Sequence, residues 1–268
     1  MLTFLFNRLN TYQDHAPREI RQCGLEFIGV SAEVPDFMRR QMAEAAPVML
    51  YDACLTLGDD FSGAIADARD LGAKQLMAGI GSCCDAGCDE GSAVSTALRL
   101  KRACAGSGLE LLLTNRRPFD PDVSVSAAKL IRLCEAADVR IAFDVGASHA
   151  SLRALEDFYD LSGRIAALLL NDNLGREALC PVGHEDYVPG YVPDDMRQPG
   201  YGSAPFVAMA EAARNFAPGA PMYINGQKHN HAKLDVVLME TNVLLAGRVF
   251  INPAGGSIGK RENGRLLI

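Results

Sequence analysis

The sequence lacks two features that would direct it to membranes or to nucleic acids. No apolar run reaches the roughly 18 residues that a membrane span needs. Basic residues are in deficit, because 26 Lys and Arg stand against 33 Asp and Glu, and the net charge is −7. An acidic chain is poorly suited to non-specific binding of nucleic-acid phosphates. We therefore expect neither a membrane nor a nucleic acid as a partner.

We also expect no export signal at the start of the sequence. Residues 1–8 are apolar over a short stretch that no basic segment precedes, which is typical of a strand. The eight cysteines are then expected to be reduced thiols in a cytoplasmic protein. Cys83, Cys84 and Cys88 could instead be redox-active or bind zinc with Cys54, although their spacing differs from the paired cysteines of structural zinc sites.

Strand-length apolar runs alternate with longer stretches of helical periodicity along most of the chain. The predicted strands cover residues 2–6, 25–30, 48–51, 75–80, 109–113, 140–143, 165–170 and 221–224. The clearest predicted helices cover residues 61–71, 92–105, 124–137, 148–160, 205–216 and 232–246. This order predicts an α/β protein with parallel strands and crossover helices. We expect a single-domain (β/α)₈ TIM barrel at 1–247 and a C-terminal tail at 248–268, through which a homo-oligomer could form.

Polar side chains stand at the end of almost every predicted strand. Those that we expect to bind a substrate or to carry the chemistry are Asn7, Asp52, Thr114, Asn115, Asp144, Asn171, Asp172, Asn225 and Lys228. In a barrel of this kind the active site lies at the carboxyl ends of the strands. A ring of amides and carboxylates there could bind a polyhydroxylated small molecule or a divalent ion. The alternative is that these residues form turns and helix N-caps.

Five segments of the chain resemble, in order and spacing, the xylose isomerase-like TIM barrels of the sugar phosphate isomerase/epimerase group. They are Gly24-Leu25-Glu26-Phe27-Ile28, Gly72-Ala73-Lys74, Ile141-Ala142-Phe143-Asp144-Val145-Gly146, Arg164-Ile165 through Leu170-Asn171-Asp172-Asn173, and Pro199-Gly200-Tyr201-Gly202. The resemblance covers roughly residues 1–246. It implies a (β/α)₈ barrel that isomerises or epimerises sugars and related keto compounds by proton transfer at carbon. A divalent metal (Mn, Mg, Co or Zn) polarises the substrate oxygens in that family.

The resemblance also implies where a metal would be held, and here the sequence departs from the family. The family uses Glu, Asp, His and Glu at four strand ends, which correspond to Thr114, Asp144, Leu169 and Asn225. Only the aspartate is retained, so we expect a degenerate metal site, because hard cations are bound mainly by anionic oxygens. A site rebuilt from Asp144, Asp172 and His184 is the alternative.

Other polar side chains could take part in such a site. Further candidates for a rebuilt metal site are Asp52, His149 and Asp186. Arg197 matches a position where the family often has a substrate-contacting arginine, and Arg176 is an alternative for this role. Arginine binds carboxylates and phosphates through two parallel hydrogen bonds.

Two functions remain in competition at this point. In the first, the protein is a sugar (phosphate) isomerase or epimerase acting on a small polyhydroxylated or keto-acid substrate. Asp144 is then the acid–base group or a metal ligand, and Lys228 or Asp172 is its proton partner. In the second, the barrel has lost the family metal site and binds a metabolite, or supports a partner, without catalysis. The replacements at Thr114, Leu169 and Asn225 favour the second.

Overall fold

The protein forms a closed barrel of eight parallel strands in sequential order, as a computed structural model shows. The structure describes residues 1–8, 10, 15–80, 90–115, 127–150, 153–173, 196–226 and 232–247, and the backbone of 261–262 and 265–266. The barrel strands are β1 (Leu2–Phe6), β2 (Ile28–Ser31), β3 (Val48–Thr56), β4 (Gln75–Gly79), β5 (Glu110–Thr114), β6 (Arg140–Asp144), β7 (Ile165–Leu170) and β8 (Met222–Ile224). The predicted (β/α)₈ fold class is confirmed.

Helices surround the barrel and connect successive strands. They are α1 (Ala16–Cys23), α2 (Asp36–Ala45), α3 (Ser62–Asp70), α4 (Glu90–Gly106), α5 (Ala127–Ala137), α6 (Val145–Ala150), α7 (Ala154–Leu161), α8 (Phe206–Phe216) and α9 (Leu234–Leu245). Helices α1 and α3 each stop near a glycine with positive φ, Gly24 at 61° and Gly72 at 72°. This left-handed conformation suits glycine and ends the helix before the next strand.

The predicted boundaries need correction at three places. The helix predicted at 148–160 is two helices, α6 and α7, and α6 begins directly after β6. Strand β2 starts at Ile28 and not at residue 25. Strand β3 continues to Thr56, because its pairing with β4 shifts register between Asp52 and Thr56.

The barrel has two apolar layers, one inside and one outside. Its lumen is filled by side chains that include Leu5, Leu50, Leu112, Leu169 and Tyr223, so it is a packed core and not a pore. The larger core lies between the outer faces of the strands and the surrounding helices. In a strand, successive side chains point to opposite faces, and this alternation divides the strand residues between the two layers.

Beyond the barrel, two short strands pair with each other in antiparallel fashion. They are β9 (Arg261–Glu262) and β10 (Arg265–Leu266). A separate tail at 248–268 stays a prediction. Within the part of the chain that the structure describes, we find no helix with the length and apolar character required to span a membrane.

Candidate active site at the mouth of the barrel

Six polar side chains form a ring at the carboxyl-terminal end of the lumen, which we call the mouth ring. Each lies two residues beyond a lumen-filling residue of the same strand and therefore faces inward. Its members are Asn7, Asp52, Thr114, Asp144, Asn171 and Asn225. All six are at most 6% exposed. Six of the nine residues predicted at strand ends thus lie in one place, and their roles stay predictions.

Three asparagines are linked at the point where the barrel closes. Asn7 Nδ2 donates to the main-chain oxygen of Asn225 at 2.9 Å and to its Oδ1 at 2.8 Å. Asn7 Oδ1 accepts the backbone N–H of Asn10 at 3.1 Å, and Asn10 Oδ1 accepts the backbone N–H of Asn7 at 2.9 Å. Asn10 was not predicted from the sequence, because its hydrogen bonds depend on a turn and not on a strand end. These bonds connect the first strand to the last and orient Asn225.

Asp144 combines a place in the mouth ring with a capping role. Its Oδ1 accepts the backbone N–H of Ala147 at 2.9 Å, the usual bond between an N-cap and the third residue of a helix. Asn115, the residue after β5, holds the backbone of Asp144. Its Oδ1 accepts the Asp144 N–H at 2.7 Å, and its Nδ2 donates to the Asp144 carbonyl oxygen at 2.9 Å. Asn115 therefore positions Asp144, and its predicted contact with substrate stays a prediction.

Asp172 is buried beside the ring, and backbone groups surround its carboxylate. Oδ1 accepts the N–H groups of Asn173 and Ala204, and Oδ2 accepts those of Gly200 and Gly202, all four at 2.9 Å. Burial raises the pKa of Asp172 to about 6, while the four N–H donors act in the opposite direction. This geometry makes Asp172 the anchor of the segment 196–204. Its predicted proton-transfer and metal-binding roles stay predictions.

Arg197 lies next to Asp172 and is held mainly through its backbone. The two residues exchange backbone hydrogen bonds of 2.8 and 2.7 Å. A side-chain carbon at Gly226 would collide with the carbonyl group of Arg197, so this close approach requires glycine. The Arg197 Nη1 donates to the carbonyl oxygen of Tyr201 at 3.3 Å. The predicted substrate contact of Arg197 stays a prediction.

The carboxyl-terminal part of β3 has a strained backbone next to the mouth ring. Cys54 adopts a positive φ of 52°, which is uncommon for a residue other than glycine. Its backbone N–H donates to Asp52 Oδ1 at 2.9 Å, and its Sγ lies 3.0 Å from Ser31 Oγ. The unusual backbone at Cys54 thus holds one carboxylate oxygen of Asp52.

His149 is a buried residue of α6 behind the ring. Its Nε2 lies 2.9 Å from Ser203 Oγ, which connects α6 to the segment after β7. Burial lowers the pKa of His149. Asn173 also contacts α6, because its Nδ2 donates to the carbonyl oxygen of Gly146 at 2.9 Å. These contacts place His149 in a supporting layer and not in the mouth ring.

The four positions that would hold the family metal do not form a suitable set of ligands. Leu169 has no donor atom and is part of the apolar lumen. Asn225 Oδ1 is engaged by Asn7, and Asp144 Oδ1 caps α6. Thr114 offers a neutral hydroxyl, whereas hard divalent ions require several anionic oxygens. Among the residues that the structure describes, no group of three or more His, Cys, Asp or Glu could hold a metal.

Several predicted site residues lie outside the described residues. They are Cys83, Cys84, Cys88, Arg176, His184, Asp186 and Lys228. The rebuilt metal site with His184, the thiol cluster and the role of Lys228 therefore stay predictions.

The barrel is similar to several solved structures. It aligns with 3-keto-D-glucoside 4-epimerase, YcjR, from E. coli at a TM-score of 0.63 and 11% identity, covering 92% of this chain and 98% of that one. D-Psicose 3-epimerase from Clostridium cellulolyticum H10, solved with D-tagatose, aligns at 0.63 and 9%, covering 91% and 99%. The probable 3-DHS dehydratase AsbF from Bacillus anthracis aligns at 0.62 and 14%, covering 91% and 98%.

Similarity in sequence is far weaker than similarity in structure. No family model matches the sequence, and no curated protein does. The predicted resemblance to xylose isomerase-like barrels is confirmed at the level of the fold, since two solved xylose isomerase domain proteins align over 85% and 92% of this chain. At such low identities the likeness establishes the barrel and leaves the chemistry to the site residues.

Proposed function

We propose that the protein is a sugar isomerase or epimerase that binds a small polyhydroxylated or keto-acid molecule at the mouth ring and moves a proton at carbon. The observation that carries this proposal is the mouth ring itself, in which two carboxylates and several amides are buried at the carboxyl ends of the strands. Carboxylates accept hydrogen bonds from sugar hydroxyls, and amides both donate and accept them. The similar structures include a 3-keto-D-glucoside epimerase and a D-psicose epimerase by their names.

Asp144 and Asp52 are the ring residues that can accept a proton from carbon. Each has one oxygen held by a backbone N–H, from Ala147 and Cys54 respectively, which fixes the orientation of the carboxylate. They belong to β6 and β3, three strands apart in a closed barrel of eight. They therefore approach a bound molecule from different sides. Lys228 remains the other proposed proton partner of Asp144.

A divalent metal does not enter this proposal, because the residues at the family metal positions do not suit one. In the proposed reaction, Asp144 removes the proton next to a carbonyl group, and a ring donor stabilises the oxygen on which negative charge develops. A sugar phosphate would need cations such as Arg197 or Lys228 near the mouth. We also propose a cytoplasmic location. The segment 248–268 is the proposed site of self-association.

The second candidate function is binding without catalysis. It is favoured by the neutral side chains of Thr114 and Asn225, which stand where the resembling family has its two glutamates. The capping bond of Asp144 is also compatible with a structural residue. In this case the mouth ring still binds a polar metabolite, or the barrel supports a partner protein.

Deuterium exchange separates the two candidates. A panel of ketoses, aldoses, keto acids and sugar phosphates is incubated with the protein in D₂O, and incorporation at carbon is followed by NMR. We expect exchange with at least one compound and a loss of about 10²–10⁴-fold in Asp144→Asn, because general acid–base catalysis contributes this much. Asparagine still caps α6, so this variant keeps the local fold.

Asp160→Asn is the matched control, because Asp160 is exposed on the outer surface. Its exchange rate should equal that of the unchanged protein. Binding of a panel member without exchange would exclude the isomerase proposal and establish the binding function.

A further inference from the structure

We propose that the side-chain amide of Asn225 is a fixed hydrogen-bond donor that receives the carbonyl oxygen of a neutral ligand in the mouth ring. This inference relies on the proposed function for the place where the ligand binds. At this position the resembling family has its last glutamate, which binds the metal, whereas Asn225 presents a hydrogen-bond donor. Asn225 would thus stabilise the oxygen that a metal polarises in the resembling family.

The orientation of the Asn225 amide follows from backbone groups whose chemistry is unambiguous. The Asn10 N–H can only donate, so the Asn7 atom that receives it is Oδ1. The other end of Asn7 is then Nδ2, which agrees with its bond to the main-chain oxygen of Asn225 at 2.9 Å. The Asn225 atom that Asn7 Nδ2 contacts must therefore be Oδ1. The NH₂ group of Asn225 is consequently turned away from Asn7.

This NH₂ group is the unusual feature of the site. Asn225 is 0% exposed, and its Nδ2 has no hydrogen-bond partner within the part of the chain that the structure describes. Buried donors in proteins are almost always paired, and leaving one unpaired is costly. A ligand oxygen accepting from Nδ2 removes this cost. Since Asn225 lies two residues beyond the lumen residue Tyr223, it faces the same interior.

The charges around the mouth favour a neutral carbonyl over an anion. The mouth ring contains the carboxylates Asp52 and Asp144 and no basic residue. Among the described residues, Arg39 is the buried arginine or lysine, but it is on α2, where it donates to Tyr51 and to Asp67. Within the mouth ring, an anionic ligand would meet the like charges of Asp52 and Asp144. A keto sugar suits both groups, because its carbonyl oxygen accepts from Asn225 and its hydroxyls donate to the carboxylates.

The test follows the Asn225 side-chain amide by NMR in the unchanged, ¹⁵N/¹³C-labelled protein, so that it does not depend on a variant that folds. The signal is assigned through its own Cβ, and dihydroxyacetone is titrated against glycerol, which has the hydroxyls but no carbonyl. We expect dihydroxyacetone to shift the signal saturably and glycerol to bind at least about tenfold more weakly. The amide of Asn242, which is exposed on α9, is the control and should not move.

Three results would overturn the proposal. If acetate shifts the NMR signal of the Asn225 amide more than dihydroxyacetone does, the site binds anions. Selective broadening of the same signal by Mn²⁺ would make it a metal site, and no shift with any probe would mean that the donor does not meet ligands. Asn225→Leu, of similar size, should lose the preference for dihydroxyacetone if it folds. A shift of the Asn225 signal without deuterium exchange would support the donor role of Asn225 and contradict catalysis. Exchange without a shift would support catalysis and contradict the donor role.

Discussion

Gly226 illustrates how a single missing side chain allows the mouth to form. A Cβ added to Gly226 would overlap the Arg197 carbonyl group, so an alanine would force the main chain of the 196–204 segment to move. We expect Gly226→Ala to lower the free energy of unfolding by about 1–3 kcal/mol, as overpacking does. Gly63→Ala is the control, because Gly63 lies in α3 with open space around it and should gain up to about 1 kcal/mol. Urea denaturation measures both; equal effects of the two changes would contradict the steric argument.

His149 makes stability depend on pH. Burial lowers its pKa in the folded state, so the folded protein binds this proton less readily than the unfolded chain does. The stability contributed by the neutral ring is complete above the unfolded pKa of about 6.5 and is lost as the pH falls through the lower, folded pKa. We expect the thermal midpoint to fall less between pH 7 and pH 5 in His149→Gln, which can still bond Ser203. The same fall in both proteins would rule out His149 as the cause.

At the scale of single residues, the sequence predicts positions better than roles. The strand ends account for the positions of Asn7, Asp52 and Asn225, and their roles in binding stay predictions. The sequence could not show that Asp172 is enclosed by backbone N–H groups, because three of the four belong to residues 28 to 32 positions further along. The unpaired NH₂ of Asn225 was equally hidden, because its orientation depends on a contact across 218 positions.

At the scale of elements, Asp172 attaches the segment 196–204 to the end of β7. Its carboxylate accepts four backbone N–H groups, three of them from Gly200, Gly202 and Ala204. We expect Asp172→Asn to cost about 3 kcal/mol, because an amide NH₂ would then face backbone donors. Hydrogen exchange of the three amides should accelerate more than that of the strands.

Asp235→Asn is the matched control for this change. Asp235 also accepts a backbone N–H, from Val236 at 2.9 Å, but it is exposed. Its replacement should change stability by less than about 0.5 kcal/mol. If Asp172→Asn has an equally small effect, the carboxylate does not anchor the segment.

The elements that sequence predicts well are those with clear periodicity and stops. All eight barrel strands lie at or near their predicted positions, because each contains an apolar run and most end at or just before a polar residue. The split between α6 and α7 escaped prediction because Asp144 both ends β6 and caps α6. Helices α1 and α2 were not among the clearest predicted helices, although the alternating order of the chain requires a connection at both places.

At the scale of the whole molecule, the barrel is complete within residues 2–245. Strand β8 pairs with β1, and α9 packs against α1 and α8. We expect removal of residues 248–268 to leave the thermal midpoint within about 3 °C of that of the full chain, which corresponds to under 1 kcal/mol. Circular dichroism on heating measures this, and a larger loss would make the tail part of the barrel domain. Truncation after Ile224 also removes α9 and should prevent folding.

Closure of the barrel has a consequence for the order of events during synthesis. Phe4 pairs with Ile224, and the bond between Asn7 and Asn225 spans 218 residues. At roughly 5–20 residues per second, a ribosome needs roughly 10–45 s to make the intervening chain. During this time β1 is an unpaired edge that can associate with other chains. The oriented donor in the mouth is therefore among the last features to form, and a nascent chain that stalls before β8 has no binding site.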